Sequence, residues 1–535
     1  MNKEEILLNK AKDSQRVYDY LADMLKIDTI VPLTFIADIS GEKVLKKNYL
    51  AENPFPHVVK FALAKLRKKA VNRLFEEEKV LQTPAVAAIL SLCAELSSEI
   101  GMLRNDNLEN EHIYTDVLFS GMQAIRLYIA NNKGKKFKST RLKSALRVDN
   151  AINGSFYKYK TSDNRYISFH TYYQSQQEKL VKELKLNKPS NKFTLMSTKK
   201  DIKYLKNVVG KENSFDLEER AFKCGACACV LRDRNEWNNS EVGKAVNKMP
   251  LLTFKEYQKS KLDFGQSLKN GPLTGVKVLD FTHIIAGPAC SRILAEYGAD
   301  VLMVRRGKYV DQEQAMLELD GWEGKNSCQL DLNKKEDLAY VKELIKKAHV
   351  ITYSYQNNAF DKFGLSLEEI RHINPNVIFS NLMCFSTSVW VNRPGLAPLA
   401  EDITGLSIRN GSKENPKNLN GVPLDYIPGF ILAMGTLMAI RDNLKDGSIA
   451  DVTTSLTRGA VFLHEITDLC ENKPSISNKT NIQKEGINEA FNKSRVYVLS
   501  PSIGYVGFPS PATYHTKYHD FEKNMVFSDS NKNFK

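Results

Sequence analysis

The sequence predicts an α/β protein with a doubly wound, mostly parallel sheet and a smaller α+β domain. The first observation is a short apolar run over residues 276–281, rich in β-branched residues, which is typical of a buried strand. Gly287-Pro288 then indicates a helix start, because proline suits the first helical turn. Gly298 can end that helix, and residues 299–304 form a second apolar run. This strand–helix–strand unit is the opening of a doubly wound sheet.

The second observation is that strand and helix patterns keep alternating along the chain. Ser366 with Glu369 forms a capping box for a helix that Pro375 ends. Further strands are predicted over 325–332, 349–355 and 377–382, and a helix over 337–348. Such alternation is typical of a parallel sheet covered by helices.

The third observation is a change of pattern before this region. Residues 157–160 and 166–170 are predicted to form two strands joined by a turn, followed by a helix over 176–186 and a strand over 224–231. The cysteines at 224, 227 and 229 raise the alternatives of a zinc site and of small buried residues in a strand. The strand is favoured, because no second ligand pair with suitable spacing follows.

Composition narrows the classes of function. The chain has 535 residues, is 42% hydrophobic and carries a net charge of +14. A lysine-rich solvated surface is the simplest explanation of that charge, and affinity for a polyanionic ligand is the more specific alternative. Nucleic acid comes third, because no recognised binding motif is found. No apolar stretch is predicted to span a bilayer, the longest being residues 429–440.

Cysteine usage and the N-terminal residues suggest a compartment. Eight cysteines in a long chain whose first residues are polar and acidic favour reduced thiols inside a cell. We expect a cytoplasmic location, with the mitochondrion or peroxisome as alternatives.

A phosphorylated ligand is expected at the first turn of the strand–helix–strand unit, over the helix N-terminus. No nicotinamide cofactor is expected, because the motif G-x-G-x-x-G is missing there, and no metal is expected, because the sequence shows no cluster of metal ligands.

The same unit carries a family resemblance. Residues 279–289 read Leu-Asp-Phe-Thr-His-Ile-Ile-Ala-Gly-Pro-Ala, and residues 298–301 read Gly-Ala-Asp-Val. This order resembles the opening of the class III CoA-transferases, the CaiB/BaiF family, which includes formyl-CoA transferase, carnitine CoA-transferase and α-methylacyl-CoA racemase. Two further segments, residues 360–365 and 373–375, resemble the sequence of the family at the corresponding places. The resemblance is close over about 271–460, loose over about 80–265 and not evident over 1–79.

The resemblance implies which residues form the site. Taken alone, Asp425 is most simply a capping residue ahead of a helix expected from Gly429 to about Leu444. The family's nucleophilic aspartate stands in a similar position, so the resemblance makes Asp425 the nucleophile, with Leu424 where the family often has glycine. The resemblance also implies that CoA is bound by His283, Ile284, Ile285, Ala286, Arg306 and Lys362. Without the resemblance, these would be ordinary loop or surface residues.

The implied activity is transfer of CoA from an acyl-CoA thioester to a carboxylic acid through an aspartyl intermediate, with CoA as substrate and no cofactor. A racemase or epimerase is the alternative enzyme. It is disfavoured because Leu396 stands where that branch has a histidine, and leucine cannot move a proton. A non-catalytic CoA-binding homologue is the alternative from another class.

The order of segments predicts an internal, degenerate duplication. We expect a helical N-terminal region over 1–150, a small α+β domain over 151–265, a Rossmann-like large domain over 271–470 and a return segment over 471–535. Residues 81–84 would be the counterpart of the Asp425 region and contain no carboxylate. Family members form interlocked dimers. Here residues 155–245 are expected to fold against 271–460 of the same chain, giving a monomeric pseudo-dimer, with a homodimer as the alternative.

Overall fold

The fold is taken from a computed structural model. The residues that it describes are 1–28, 30, 32–39, 69–105, 113–125, 157–170, 174–185, 199–268, 271–306, 321, 324–356, 358–472 and 482–484.

A seven-stranded, mostly parallel sheet forms the centre of the larger part of the molecule. Its strands are β6 (Thr253–Lys259), β7 (Lys277–Phe281), β8 (Asp300–Arg306), β9 (Asn326–Leu330), β10 (Val350–Tyr353), β11 (Ile378–Met383) and β12 (Ser448–Ser455). They lie in the order β6-β12-β11-β10-β7-β8-β9. All neighbours pair in parallel except β6, which pairs antiparallel with β12 at the edge.

The strand order places a topological switch point between β7 and β10. The chain runs outward from β7 through β8 and β9, then returns to the other side of β7 and continues through β10, β11 and β12. This is the doubly wound order, in which ligands bind at the carboxyl ends of the strands where the direction reverses. The predicted mostly parallel α/β sheet is confirmed.

Helices cover both faces of this sheet. They are α9 (Ala286–Glu296), α10 (Lys335–Lys347), α11 (Leu367–Ile373), α12 (Ala397–Ile403), α13 (Leu406–Asn410), α14 (Pro423–Asp446) and α15 (Leu456–Glu471), with a 3₁₀ turn at Asp361–Phe363. Successive strand residues point to opposite faces: Val278 packs with α9 and α14, whereas Leu279 packs with α10. Both faces are therefore apolar, which explains the continuous hydrophobic runs in the sequence.

The N-terminal region packs on the outer side of α14. Its elements are α1 (Lys3–Leu25), α2 (Gln82–Arg104), α3 (Val117–Ala124), and a parallel sheet of β1 (Leu33–Ile36), β2 (Ile113–Asp116) and β13 (Ile482–Gln483). Helices α2 and α14 share one apolar core. Both are long and apolar enough to cross a membrane, and 89% and 94% of their most apolar stretches are buried inside the fold.

The small domain is a three-stranded antiparallel sheet with helices. The strands are β3 (Lys158–Lys160), β4 (Tyr166–Phe169) and β5 (Ala228–Val230), and the helices are α4 (Gln174–Glu183), α5 (Lys199–Val209), α6 (Ser214–Lys223), α7 (Arg234–Asn239) and α8 (Glu241–Asn247). Strands β4 and β5 contact α12 of the same chain. Cys227 and Cys229 are buried at this contact, and all eight cysteines are free.

Several boundaries differ from the expectations. The strand predicted over 224–231 is shorter, because Cys224 to Ala226 form the turn after α6. Strand β6 lies within the range expected for the small domain but belongs to the large sheet. Of the return segment expected over 471–535, the described residues are 471–472 and 482–484, and a strand expected within it over 496–508 lies outside them. The duplication, the domain boundaries and the pseudo-dimer stay predictions.

Candidate functional site

The connection from β7 to α9 lies at the switch point of the sheet. The backbone N–H of His283 donates to the Ser354 hydroxyl at 3.0 Å, and the His283 Nδ1 lies 3.1 Å from the same oxygen. The His283 ring stacks on Tyr355, with centroids 4.2 Å apart and an interplanar angle of 11°. Burial lowers the pKa of His283 to about 4. His283 is therefore neutral at pH 7 and held by the residues that follow β10.

The next residue, Ile284, has a strained backbone. Its φ is +63°, a conformation that a β-branched residue rarely adopts. Strain of this kind persists only where the surroundings fix it, and it is found most often at functional sites. The turn is also tightly packed, because a Cβ on Gly287 would lie 2.4 Å from the Cβ of Thr282.

A buried carboxylate fixes the base of this turn. Asp280 accepts hydrogen bonds from the backbone and hydroxyl of Thr282, at 3.0 and 2.5 Å, and from the Thr352 hydroxyl at 3.0 Å. Its other oxygen accepts from Ser291 of α9 and, at 3.1 Å, from the buried ammonium of Lys325. These bonds join β7, α9 and β10. The sequence pattern did not identify Asp280, Ser354 or Tyr355, although the doubly wound order would have placed the ends of β7 and β10 side by side.

Helix α14 approaches the same turn very closely. A Cβ built on Gly429 would lie 2.2 Å from the carbonyl oxygen of Ala286 and 3.1 Å from the Cβ of Ala289. Only glycine fits this position without a shift of one of the helices. Asp425 stands four residues earlier on α14, on the same helix face. The structure thus brings Asp425 to the side of α14 that faces the His283–Ala286 segment.

The environment of Asp425 is apolar. Leu424 and Tyr426 beside it are buried, whereas Asp425 itself is partly exposed. Among the described residues, none donates a hydrogen bond to its carboxylate, and burial raises its pKa to about 7. A carboxylate that is poorly solvated and has no partner is more reactive than one in water.

The start of α14 differs from the prediction. The helix begins at Pro423, not at Gly429, so Asp425 lies inside the first turn. Pro423 takes the first-turn position of the helix, and Pro428 is accommodated within it. Leu424 is helical and buried, so this backbone does not need the conformational freedom of a glycine there.

The remaining predicted CoA-binding residues lie at the same edge of the sheet. Arg306 is the last residue of β8, and the position of its side chain is not described. Lys362 lies in the 3₁₀ turn and is exposed. Phe360, two residues before it, packs on Tyr355 with centroids 5.4 Å apart. The contact of Gly429 with Ala286 thus brings the helix of Asp425 against the turn that contains His283, Ile284, Ile285 and Ala286.

A second polar cluster, missed by the sequence, joins the small domain to α12. The buried Asp402 pairs with Lys158 and accepts from Ser168 at 2.6 Å, and the Ser168 hydroxyl lies 2.9 Å from the Nε2 of His170. Lys158 and the other bonds hold the pKa of Asp402 well below its usual range, although burial opposes this. Cys229 also lies here, so three potential metal ligands come within 4.8 Å. The Ser168 hydroxyl contacts all three, which favours a hydrogen-bonded network over a cation.

Comparison with known proteins agrees with the motif. The profile of CoA-transferase family III matches residues 273–497. A formyl-CoA:oxalate CoA-transferase of Escherichia coli O81 is 30% identical over 197 residues, 35% of this chain and 47% of that protein. An acyl-CoA transferase of Fusarium pseudograminearum is 29% identical over 210 residues, 36% of this chain and 46% of that protein. The chain thus spans about half the length of these relatives.

Solved structures give weaker similarities. A hypothetical protein of Mycobacterium tuberculosis is 23% identical, with 41% of this chain and 62% of that chain covered and a TM-score of 0.35. A CaiB/BaiF family protein of Brucella suis is 22% identical, with 38% and 59% covered and a TM-score of 0.31. The matched profile and the relatives agree with the resemblance in residues 279–301, and residues 273–497 are similar to CoA-transferase family III.

Proposed function

We propose that the protein transfers CoA from an acyl-CoA thioester to a carboxylic acid, with Asp425 as the nucleophile. The observation that carries this proposal is the position of Asp425, one helical turn before the Gly429 that touches Ala286. The carboxylate thereby faces the turn at the switch point, where a doubly wound fold binds its ligand. His283 to Ala286 would hold the CoA, with Arg306 and Lys362 near its charged groups.

The reaction follows from carboxylate chemistry. An oxygen of Asp425 attacks the thioester carbonyl, the C–S bond breaks, and CoA leaves as a thiolate, which gives a mixed anhydride. The thiolate attacks the aspartyl carbonyl and releases the donor acid, which leaves an aspartyl thioester. The acceptor carboxylate then attacks this thioester and expels CoA again. CoA finally attacks the acceptor's carbonyl, which gives the new acyl-CoA and restores Asp425.

The environment of Asp425 suits this role. A carboxylate is a weak nucleophile in water because its charge is strongly solvated. The apolar surroundings that raise its pKa to about 7 also leave the ionised form reactive. Ionised Asp425 is still present in about half of the molecules at neutral pH, given this pKa.

The test is Asp425→Ala, assayed with formyl-CoA as donor and oxalate as acceptor, the pair named for the E. coli relative. We expect loss of transfer with unchanged binding of CoA, measured by calorimetry. In the wild-type protein, hydroxylamine should release or trap an acyl adduct on Asp425, detected by mass spectrometry. If this pair is inactive, other CoA thioesters selected by thermal shift are assayed with further carboxylic acids. A purified variant with full activity would rule out this mechanism.

The alternatives predict different results. A non-catalytic CoA-binding homologue would bind CoA and form no adduct on Asp425. A racemase is not favoured, because Leu396, the residue just before α12, is apolar and partly buried and offers no second base.

Further parts of the proposal concern cofactors, assembly and location. We propose that neither a metal nor a nicotinamide is needed, so activity should survive chelation. We also propose that the chain works as a monomer, because the small domain contacts the large domain of the same chain through Lys158 and Asp402. The free cysteines agree with a cytoplasmic location, which is proposed as well. Light scattering should then give a mass near 60.6 kDa, and a stable dimer would contradict the assembly.

A further inference from the structure

The segment that leads into the helix of Asp425 is held by the N-terminal region. The Nε2 of Gln82, at the start of α2, donates to the carbonyl oxygen of Asn420 at 3.2 Å. The side chain of Asn420 donates to the carbonyl oxygen of Ala70 at 3.1 Å. The backbone N–H of Val422 donates to the carbonyl oxygen of Ala124, at the end of α3, at 3.4 Å. Three separate parts of the N-terminal region thus make hydrogen bonds to Asn420 and Val422, the residues on either side of Gly421.

The packing at Gly421 shows that the contact is tight. Its φ is +79°, and a Cβ there would lie 2.7 Å from the side chain of Ile125 and 2.9 Å from the carbonyl oxygen of Ala124. A larger residue would separate the segment from the end of α3. The chain must also turn here in a conformation that favours glycine.

The distance along the chain from this segment to Asp425 is short. Asp425 donates its backbone N–H to the carbonyl oxygen of Val422 at 2.9 Å, so the position of residue 422 sets where the first turn of α14 begins. Gln82 is buried, and its carbonyl oxygen has no hydrogen-bond partner among the described residues. A buried amide with one unpaired oxygen is costly, so its presence calls for a reason beyond stability.

We infer that the N-terminal region positions Asp425 by holding residues 420–422, with Gln82 as a positioning residue. This inference rests on the proposed role of Asp425. It gives a role in the reaction to a part of the chain that lies outside the region matched to the family, residues 273–497. A shift of the nucleophile by about 1 Å can cost roughly 100-fold in rate, so three hydrogen bonds to this segment are enough to matter.

The test uses the full chain with Gln82→Leu and, as a second variant, Asn420→Ala. Hydrogen exchange of the backbone amides over residues 419–425 should become about tenfold faster in each, as expected for the loss of one hydrogen bond. Turnover of the donor and acceptor pair that the wild-type protein uses should show kcat lower by roughly 10–100-fold and KM within about twofold. The KM is spared because the His283–Ala286 segment is not touched.

Ser91→Ala is the matched control. Ser91 is buried on the same helix, and its hydroxyl lies 2.8 Å from the oxygens of Ala87 and Thr115, away from residues 420–422. It should lower thermal stability without changing exchange over 419–425 or kcat. The double variant of Gln82 and Asn420 should lose less in kcat than the product of the two single losses, because both act through one segment.

Two results separate the failure of this inference from the failure of the proposed function. If Gln82→Leu folds with unchanged exchange over 419–425 and unchanged kcat, while Asp425→Ala is inactive, the positioning role is wrong. If Asp425→Ala keeps full activity, the nucleophile itself is wrong. Should Gln82→Leu fail to fold, the same comparison is made with Asn420→Ala.

Discussion

Replacing Asp425 by asparagine tests the environment of the carboxylate independently of any substrate. Asparagine keeps the size of the side chain and removes its charge. The pKa of Asp425 is raised from 3.8 to about 7 by burial, so the folded protein binds the proton more tightly than the unfolded chain does. Its ionisation therefore costs no stability below about pH 4. The cost grows as the pH rises and is complete above about pH 7.

The size of the effect follows from the shift. Three pKa units correspond to about 4 kcal/mol of unfolding free energy. Because Asp425 is partly exposed, water offsets part of this cost, and we expect about 2 kcal/mol. Because the unfolding entropy of a 535-residue chain is about 1.1 kcal/mol/K, Asp425→Asn should unfold about 2 °C higher than the wild type at pH 8, and at the same temperature at pH 4.

The assay is thermal unfolding followed by circular dichroism over this pH range, with the transfer assay in parallel. The wild type at pH 4, where the Asp425 carboxyl is protonated in both the folded and the unfolded protein, serves as the reference. Equal melting temperatures of Asp425→Asn and the wild type at pH 8 would refute the apolar environment. If Asp425→Asn melts at a higher temperature than the wild type at pH 8 and keeps full transfer activity, Asp425 is not the nucleophile, although its carboxyl does lie in an apolar environment.

Three further predictions follow from the geometry. The kcat/KM of transfer should rise with pH as one ionisation of Asp425 with a midpoint near 7, and a flat profile from pH 5 to 8 would contradict this. Gly429→Ala should lower the free energy of unfolding by about 1–3 kcal/mol, because the new Cβ would meet the carbonyl oxygen of Ala286 at the start of α9. The same clash should weaken CoA binding measured by calorimetry, and unchanged affinity would contradict the close approach. Lys158→Met should lower the free energy of unfolding, measured by chemical denaturation, by about 3–5 kcal/mol, because it leaves the buried Asp402 without its cationic partner. Glu219→Gln breaks the more exposed ion pair with Arg393 and should lower it by about 1 kcal/mol or less. Equal losses in the two variants would show that the buried pair does not hold the domains together.

The strand–helix–strand unit was predictable because its signals are local. The apolar run that becomes β7 and the proline and glycine around α9 lie within a few residues of one another, and each acts on the backbone next to it. The start of α14 was less determined, because Pro423 and Pro428 both suit a first turn. The structure begins the helix at the earlier proline, where residues 420–422 are held by the N-terminal region.

The sequence by itself determined the mostly parallel sheet and the resemblance to a family that makes Asp425 the candidate nucleophile, because hydrophobic periodicity and an ordered motif lie in neighbouring residues. The tertiary structure decided what surrounds Asp425, since the pKa of a carboxyl depends on burial by α14 and its neighbours. It also decided which distant residues meet. Gln82 and Asn420 are 338 residues apart in sequence, and Lys158 and Asp402 are 244 apart. Such contacts form only when separate elements pack, and no local pattern in one chain specifies them.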